Sequence, residues 1–277
     1  MPGGHAERLY LPDSAEEISQ ILREANEAGT PVTISGARTG TVGGAIPFGG
    51  IVVSLEKLNK IKSINKETMT AVVEPGVILG DFQKAVEAEG LFYPPDPTEW
   101  SCQIGGTVAT NASGARSFKY GATREYVERL RVVLGDGDLL ELWRGQNITS
   151  PSGVALLNAP GDKRIGIQRP SYTRPAVTKN VSGYFTEPEM DVIDLFIGSE
   201  GTLGVVTEVQ LSLLPKPQGF FSGVVFFRSQ TDLMDLVDFV KDTSYATRCG
   251  KGNENVYGPI DATLLEYFDD RALDLVR

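Results

Sequence analysis

Three stretches of the chain are built almost wholly from glycine, alanine, serine and threonine: residues 35–45, 104–115 and 198–204. Small residues let a ligand approach the main chain closely, so that backbone N–H groups can hydrogen-bond to it. One such stretch on its own is an ordinary turn. Three of them, separated by amphipathic sequence, predict a long ligand that main-chain amides hold at several points.

Composition removes several classes of protein. The chain has 277 residues, a formal net charge of -10 and a pI near 4.8, and its basic residues form no stripe that would neutralise a phosphate backbone. We therefore expect no nucleic acid partner. No run of about 18 apolar residues is present to span a bilayer, and the amino terminus lacks the basic-then-apolar pattern of a secretion signal. These features predict a cytoplasmic protein without a transmembrane segment.

Histidine and cysteine are scarce. His5 is the only histidine, and we expect it to lie in a frayed amino terminus, which argues against histidine-based zinc sites and catalytic triads. Cys102 and Cys249 are the only cysteines and form no Cys-x-x-Cys pair, which fits a reducing compartment. No metal site is predicted.

The order of the first predicted elements excludes the common dinucleotide folds. The pattern predicts a helix over residues 14–28, opened by Ser14 and Glu17 in capping-box spacing, and then strands over 32–35 and 51–55. The first small-residue stretch therefore joins two strands. A Rossmann fold needs its glycine loop to open a helix, and a nucleotide P-loop must end in Gly-Lys-Ser/Thr, so this stretch meets neither condition.

Further periodic segments extend to the carboxyl end. They predict strands over 69–74, 130–134, 139–143, 205–214, 220–227 and 262–267, and helices over 79–89, over 231–242 and in a last run to Arg277. The strands at 130–134 and 139–143 form a hairpin about Gly135 and Gly137. Residues 145–190 are rich in proline, glycine and asparagine and are predicted to be a long surface excursion.

Six motifs occur in this chain, over residues 34–44, 94–97, 104–114, 120–124, 179–184 and 198–207. Together they resemble the flavin-binding oxidoreductases related to vanillyl-alcohol oxidase and p-cresol methylhydroxylase, the FAD-linked oxidase superfamily. Within it the chain is most similar to the branch of D-lactate dehydrogenase, the glycolate oxidase D-subunit and D-2-hydroxyglutarate dehydrogenase. The resemblance covers about residues 8–217.

The resemblance implies an α+β fold. It implies a two-subdomain FAD-binding domain of the p-cresol methylhydroxylase type over residues 1–217, with subdomains of about 1–75 and 76–217 and the cofactor between them. Residues 218–277 would then be an incomplete α/β cap segment, the start of a truncated substrate domain, because a piece this small cannot bury both faces of a sheet.

The resemblance also implies where FAD is held. The first stretch would cradle the diphosphate with its amides, the second would follow the isoalloxazine and ribityl portions, and the third would contact the flavin or adenine through backbone groups. Lys179, Asn180 and Tyr184 match a further family segment near the cofactor. The expected cofactor-binding residues are Ser35, Gly36, Ala37, Arg38, Thr39, Gly40, Thr41, Gly44, Pro95, Asp96, Gln103, Ile104, Gly105, Gly106, Ala109, Thr110, Asn111, Gly114, Tyr120, Gly201, Gly204 and Val206.

Several of these segments also have a plain structural interpretation. The first stretch alone is compatible with a tight strand connection, and Asn111 with capping a turn. Glu200 either acts electrostatically beside the flavin or fixes a turn by accepting backbone amides. Tyr120 and Arg124 either line the cofactor or bridge the subdomains, and for Arg124 a solvated ion pair with Glu125 or Glu128 is a further alternative.

The mode of FAD attachment follows from what the chain lacks. Several relatives in the superfamily tether FAD covalently through a histidine or a cysteine, but the first stretch contains no histidine. Cys102 is the only thiol near a candidate site, and it stands where this branch has an unlinked cysteine. Non-covalent FAD is therefore expected.

The implied function is FAD-dependent oxidation of a D-2-hydroxy acid such as D-lactate or glycolate, by hydride transfer to flavin N5. In the family, the cap domain carries the substrate arginines, the metal-binding histidines and the histidine that acts as base, and none of them maps onto this chain. No catalytic residue is assigned, and the chain alone is expected to bind FAD but to oxidise substrate poorly. One alternative is a non-catalytic FAD-binding subunit or fragment that needs a second polypeptide to supply the cap. Another is an NADPH-dependent reductase like UDP-N-acetylenolpyruvoylglucosamine reductase.

Overall fold

The structure is a computed structural model that describes residues 3–161, 163–177, 179–250 and 259–275. The strands are β1 Arg8–Tyr10, β2 Val32–Ser35, β3 Ile51–Ser54, β4 Ile61–Asn65, β5 Thr70–Val73, β6 Leu91–Phe92, β7 Val127–Val133, β8 Leu139–Trp143, β9 Val154–Asn158, β10 Arg164–Gln168, β11 Val205–Ser212 and β12 Leu214–Pro215. The α-helices are α1 Ala15–Ala28, α2 Leu79–Ala88, α3 Ile104–Ala109, α4 Ser117–Tyr120, α5 Ile193–Phe196, α6 Gln230–Arg248 and α7 Asp270–Leu275, and Thr123–Tyr126 form a 3-10 turn.

A small parallel sheet in the order β1-β3-β2 positions the first small-residue stretch. Residues 36–50 cross from the end of β2 to the start of β3 without a helix, which confirms the predicted order of strand, glycine loop and strand. Helix α1 packs Ile18, Ile21 and Leu22 with Val53 of β3 in one buried cluster. The Ser14 hydroxyl accepts a hydrogen bond from the backbone N–H of Glu17, as the capping pattern predicts.

A second sheet has five antiparallel strands in the order β4-β5-β11-β7-β8. The predicted hairpin is present as β7 and β8, which pair from Arg129 with Trp143 to Val133 with Leu139. Strand β11 lies in the middle of the sheet and buries Val205, Val209 and Leu211. The residues that follow β11 and those that precede it are therefore attached to a rigid element.

Glu208 of β11 is a carboxylate that is only 7% exposed, and it pairs with Lys62 of β4 and Arg129 of β7, strands that lie on opposite sides of β11 in the sheet order. Lys62 Nζ lies 2.5 Å from Glu208 Oε2, and Arg129 pairs with Oε1. Burial by itself raises the pKa of this carboxyl group, but Lys62 and Arg129 outweigh it, so that the pKa of Glu208 lies below its ordinary value of 4.5.

A Glu208→Gln variant is expected to lower the free energy of unfolding at neutral pH by about 2 kcal/mol, because Arg129 and Lys62 lose a charged acceptor. The pKa of Glu208 is lower when folded than when unfolded, so its contribution is fully present above pH 4.5 and is lost as the pH falls through the folded value. Urea unfolding of both proteins over a pH series tests this. The prediction fails if the difference between them stays constant as the pH is lowered well below 4.5.

The structure differs from the predicted elements in five of the places named above. The second small-residue stretch is not wholly a loop, because residues 104–109 form α3, and the excursion predicted over 145–190 contains the hairpin of β9 and β10. No strand forms over 220–227 or 262–267, since neither segment finds a partner strand among the described residues. His5 is not frayed, because it bridges to Phe48 and donates its backbone N–H to Pro47.

The chain divides into two compact units. The first comprises residues 1–93, 99–112 and 122–216, and the second comprises 94–98, 113–121 and 217–277. Within the second unit, Arg248 of α6 donates to the Phe118 carbonyl at 2.7 Å, and Lys119 and Arg248 both pair with Asp261. None of the helices in the described parts of the chain is long and apolar enough to cross a membrane.

Candidate functional site

The first stretch presents a run of unpaired main-chain donors. Across the described residues, the backbone N–H groups of residues 36–42 have no hydrogen-bond acceptor, and residues 38–42 are exposed. Arg38 adopts a positive φ of 60° and forms no ion pair within the described chain. Consecutive free amides beside an unpaired guanidinium are suited to an anion such as a diphosphate.

Gln103 lies against the beginning of this stretch and contributes an acceptor. It is 8% exposed, and its side-chain oxygen is buried without a hydrogen-bond donor in the described part of the structure. A Cβ atom at Gly36 would lie 3.0 Å from that oxygen, so glycine is what lets the loop and the amide oxygen come this close. Buried polar atoms are nearly always hydrogen-bonded in native proteins, which makes this oxygen a strong indication of a missing partner.

Helix α3 has one buried side and one open side. Ile104, Thr107 and Val108 are buried, following the i, i+3, i+4 spacing of a packed helix. Gly106 and Thr110 are exposed, and a Cβ atom at Gly106 would meet no heavy atom within 4 Å. Helix α3 therefore has an open surface without a side chain at Gly106, which leaves room for a ligand to approach the backbone.

The third stretch is fastened to the end of α3. The backbone N–H of Gly198 donates to the Val108 carbonyl at 3.0 Å, and that of Glu200 donates to the Ala109 carbonyl at 2.7 Å. Gly201 adopts a positive φ of 75° and approaches β2. The structure thus brings residues 36–44, 104–112 and 198–204 of the three small-residue stretches together within the first unit, which the sequence order alone did not require.

Tyr184 joins this turn through its hydroxyl, which lies 2.7 Å from Thr202 Oγ1. The Glu200 carboxylate makes no hydrogen bond with other described residues, so the structure gives no support to its predicted role in accepting backbone amides. It lies near Gly44, since a Cβ atom there would be 3.7 Å from Glu200 Oε2. Glu200 itself has a positive φ of 55°, which the two bonds from the turn to α3 hold in place.

Arg124 is a largely buried residue that connects Asn111, just after α3, with Ile197, just before the third stretch. Its guanidinium donates to the Ile197 carbonyl at 2.5 Å and to both the carbonyl and the carboxylate of Asp194, at 2.6 and 2.8 Å. Its backbone N–H donates to Asn111 Oδ1 at 2.9 Å. The predicted solvated pair with Glu125 or Glu128 is therefore wrong, and Arg124 instead binds α5 and the residue just before the third stretch.

The environment of Arg124 is rich in cations. Asp194 also accepts from Arg144 at 2.9 Å, and the ring of Phe185 lies 4.3 Å from Arg124 and 4.4 Å from Arg174. Burial lowers the pKa of Arg124, Asp194 raises it, and Arg144 and Arg174 lower it further. Asp194 and Arg144 escaped sequence reasoning because nothing in their spacing indicates that they meet. Asn111, by contrast, has a positive φ of 46° and its side chain serves the turn, in line with its structural interpretation.

Some glycines of the predicted site pack against protein. Cβ atoms at Gly105 and Gly204 would lie 2.5 Å from Pro75 Cβ and 2.6 Å from Val132 Cγ1, and one at Gly114 would lie 1.7 Å from the Asp96 carbonyl oxygen. In the second unit, Asp96 also pairs with Arg116 at 3.1 Å. Tyr120 belongs to α4, Pro95 is buried and Val206 pairs with Val132 in the sheet. A cofactor role for all of these residues stays a prediction.

The residues of the first unit fit the parts of FAD. Free amides suit its diphosphate, the open surface at Gly106 suits a flat ring, and the donor-less oxygen of Gln103 suits a hydroxyl group. Ser35, Ala37, Thr39, Gly40, Thr41, Ala109 and Thr110 lie along the same loop and helix.

Comparison with known proteins agrees with this interpretation. Residues 6–142 match the family model described as FAD binding domain. The chain is 37% identical over 232 residues to D-lactate dehydrogenase of Anaerostipes hadrus, covering 83% of this chain and 41% of that protein. It is 38% identical over 212 residues to glycolate oxidase subunit GlcD of Bacillus subtilis, covering 76% and 37%. It is 40% identical over 211 residues to D-2-hydroxyglutarate dehydrogenase of Xanthomonas citri, again covering 76% and 37%.

The fold is shared with a solved structure of alkyldihydroxyacetonephosphate synthase, with a TM-score of 0.55 and 22% identity over 76% of this chain and 32% of the other. The predicted mixed fold of helices and sheets is confirmed by this likeness, and the predicted FAD-binding domain by the family match over residues 6–142. This chain matches only 37% to 41% of the length of the three relatives named above. Residues 6–142 therefore match an FAD-binding domain, and the chain is similar to hydroxy-acid dehydrogenases and an oxidase subunit over part of their length.

Proposed function

We propose that the chain is the FAD-binding part of an oxidoreductase that oxidises a D-2-hydroxy acid such as D-lactate or glycolate. The observation that carries the proposal is the run of unpaired amides over residues 36–42, lying against Gln103 at the start of α3. The names of the relatives supply the substrate class, since they are dehydrogenases and an oxidase subunit of 2-hydroxy acids.

The residues described above bind and orient the cofactor. The amides of residues 36–42 and the Arg38 guanidinium neutralise the diphosphate, and the open surface at Gly106 supports one face of the ring. When bound, FAD supplies the two-electron acceptor for the oxidation. Ser35 ends β2 directly before the unpaired amides, and Gly44 lies two residues beyond them in the same loop.

We also propose which segments of the chain bind FAD and which belong to a substrate domain. We place FAD between subdomains of about 1–75 and 76–217, and we interpret residues 218–277 as the opening of a cap domain. The sole histidine, His5, is held in a bridge to Phe48, and no proton acceptor for the substrate hydroxyl is assigned. We propose that the cap domain, supplied by the same polypeptide or by a second one, carries the groups that bind and deprotonate substrate.

FAD titration of the purified chain tests the cofactor. We expect saturable uptake with the visible absorption of a bound flavin, and a colourless protein that takes up no FAD would refute the proposal. Anaerobic mixing of the loaded chain with D-lactate, glycolate or NADPH then tests the reaction. Bleaching of the flavin by a hydroxy acid, alone or after a cap polypeptide is added, supports the oxidoreductase. Bleaching by NADPH alone would instead favour a reductase.

Non-covalent attachment of FAD can be tested separately at Cys102, which is buried, with only 7% of its surface exposed. A Cys102→Ala variant should bind FAD as tightly as the parent, and acid precipitation should release all flavin from both proteins into the supernatant. Serine at the exposed Cys249 is the matched control. Flavin fluorescence that stays with the denatured parent, and is lost in Cys102→Ala, would contradict non-covalent binding.

A further inference from the structure

The inference concerns Gln103 and rests on the proposed function, because it assigns one chemical group of FAD to one atom of the chain. The side-chain oxygen of Gln103 is an acceptor with no donor among the described residues, in a side chain more than nine-tenths buried. Leaving a buried acceptor unpaired costs about 1 to 3 kcal/mol, so a bound ligand that supplies the donor is strongly favoured.

The neighbours of this oxygen identify the part of FAD that reaches it. On one side is Gly36, the first residue of the free amides, and on the other is α3 with its open surface at Gly106. If the amides hold the diphosphate and Gly106 faces the ring, Gln103 lies between the two. In FAD, the group between the diphosphate and the ring is the ribityl chain, which carries hydroxyl donors.

The chemistry of the two candidate ligand groups points the same way. An ionised diphosphate has acceptors but no donor, so it cannot satisfy an amide oxygen, whereas a hydroxyl can. Gly36 begins the loop beside this oxygen, and residues 36–42 make no backbone–backbone hydrogen bonds within the described chain. We infer that the Gln103 side-chain oxygen accepts a hydrogen bond from a ribityl hydroxyl of FAD and thereby fixes the distance between diphosphate and ring.

A thermodynamic cycle tests the assignment. FAD and analogues that each lack one ribityl hydroxyl are titrated into the parent and into Gln103→Leu. We expect the parent to bind one of the analogues about tenfold more weakly than FAD, and Gln103→Leu to bind FAD about tenfold more weakly than the parent. Gln103→Leu should bind that analogue no more weakly than it binds FAD, because the substitution and the missing hydroxyl remove the same hydrogen bond.

The outcomes separate this inference from the cofactor proposal. A parent that binds no FAD refutes both. A parent that binds FAD and every analogue equally well, or a cycle in which the two losses simply add, refutes the role of Gln103 alone. If Gln103→Leu does not fold, Gln103→Met takes its place, and the analogue series on the parent still decides whether a ribityl hydroxyl is bound. Binding of ADP, which has no ribityl chain, is expected to be equal in parent and variant.

Discussion

A Gly106→Val variant is expected to fold like the parent and to bind FAD about a hundredfold more weakly. The new side chain would meet no protein atom within 4 Å of its Cβ in the unliganded chain, and valine is no worse a helix former than glycine. It would instead occupy the surface of α3 on which we place the ring, and overpacking of this kind costs up to about 3 kcal/mol, or roughly a hundredfold in Kd. Fluorescence titration with FAD measures the loss.

Two other glycines provide matched controls. Gly135, in the hairpin turn between β7 and β8, also has no heavy atom within 4 Å of the position that a Cβ atom would take, so Gly135→Val should leave FAD affinity unchanged. Gly105 is packed against Pro75 at 2.5 Å, so Gly105→Ala should lower the urea midpoint of the protein even without FAD. Parent-like FAD affinity in a well-folded Gly106→Val protein would show that the ring does not lie on α3.

An Arg124→Met variant is expected to lose about 3 kcal/mol of stability, because the carbonyls of Asp194 and Ile197 lose their buried donor. We also expect FAD affinity to fall by about tenfold, roughly 1.4 kcal/mol, because Arg124 holds the residues that lead into the turn at Gly198. Urea unfolding without cofactor measures the first effect, and FAD titration at a temperature where all variants are folded measures the second.

The controls separate positioning from stability. Arg131, whose side chain is 48% exposed and 4.0 Å from Glu141, should tolerate Arg131→Met with little change in either measurement. Glu208→Gln lowers stability without touching the site, so it should retain the FAD affinity of the parent. Arg124→Lys keeps the charge but not the fork of donors, and should recover only part of the affinity. If Arg124→Met and Glu208→Gln reduce FAD affinity equally, Arg124 has no specific positioning role.

The local sequence pattern predicts the secondary structure correctly where an element's conformation is determined by its own residues. The capped helix α1, the hairpin of β7 and β8 and the connection from β2 to β3 all follow from residue spacing. Helix α3 does not follow from residue spacing, because Gly105 and Gly106 are poor helix formers and the helix depends on bonds from the Ile104 N–H to the Val77 carbonyl and from the Gly105 N–H to the Pro75 carbonyl. Residues 220–227 have the pattern of a strand but form none, because a strand needs a partner that no local pattern reveals.

The candidate site divides along the same line. Its donors could be predicted, because a run of small residues ending a strand leaves its amides free whatever surrounds it. The contact between Arg124 and Asp194, and the separation of open Gly106 from packed Gly105, could not, because they depend on which segments meet across long loops. The sequence by itself determined the chemistry available to hold FAD, namely amides, one guanidinium and one amide side chain. Only the tertiary structure decided which of these groups converge. They are brought together by burial of the apolar sides of α3 and β11, and the polar groups on the open side do not determine how those apolar sides pack.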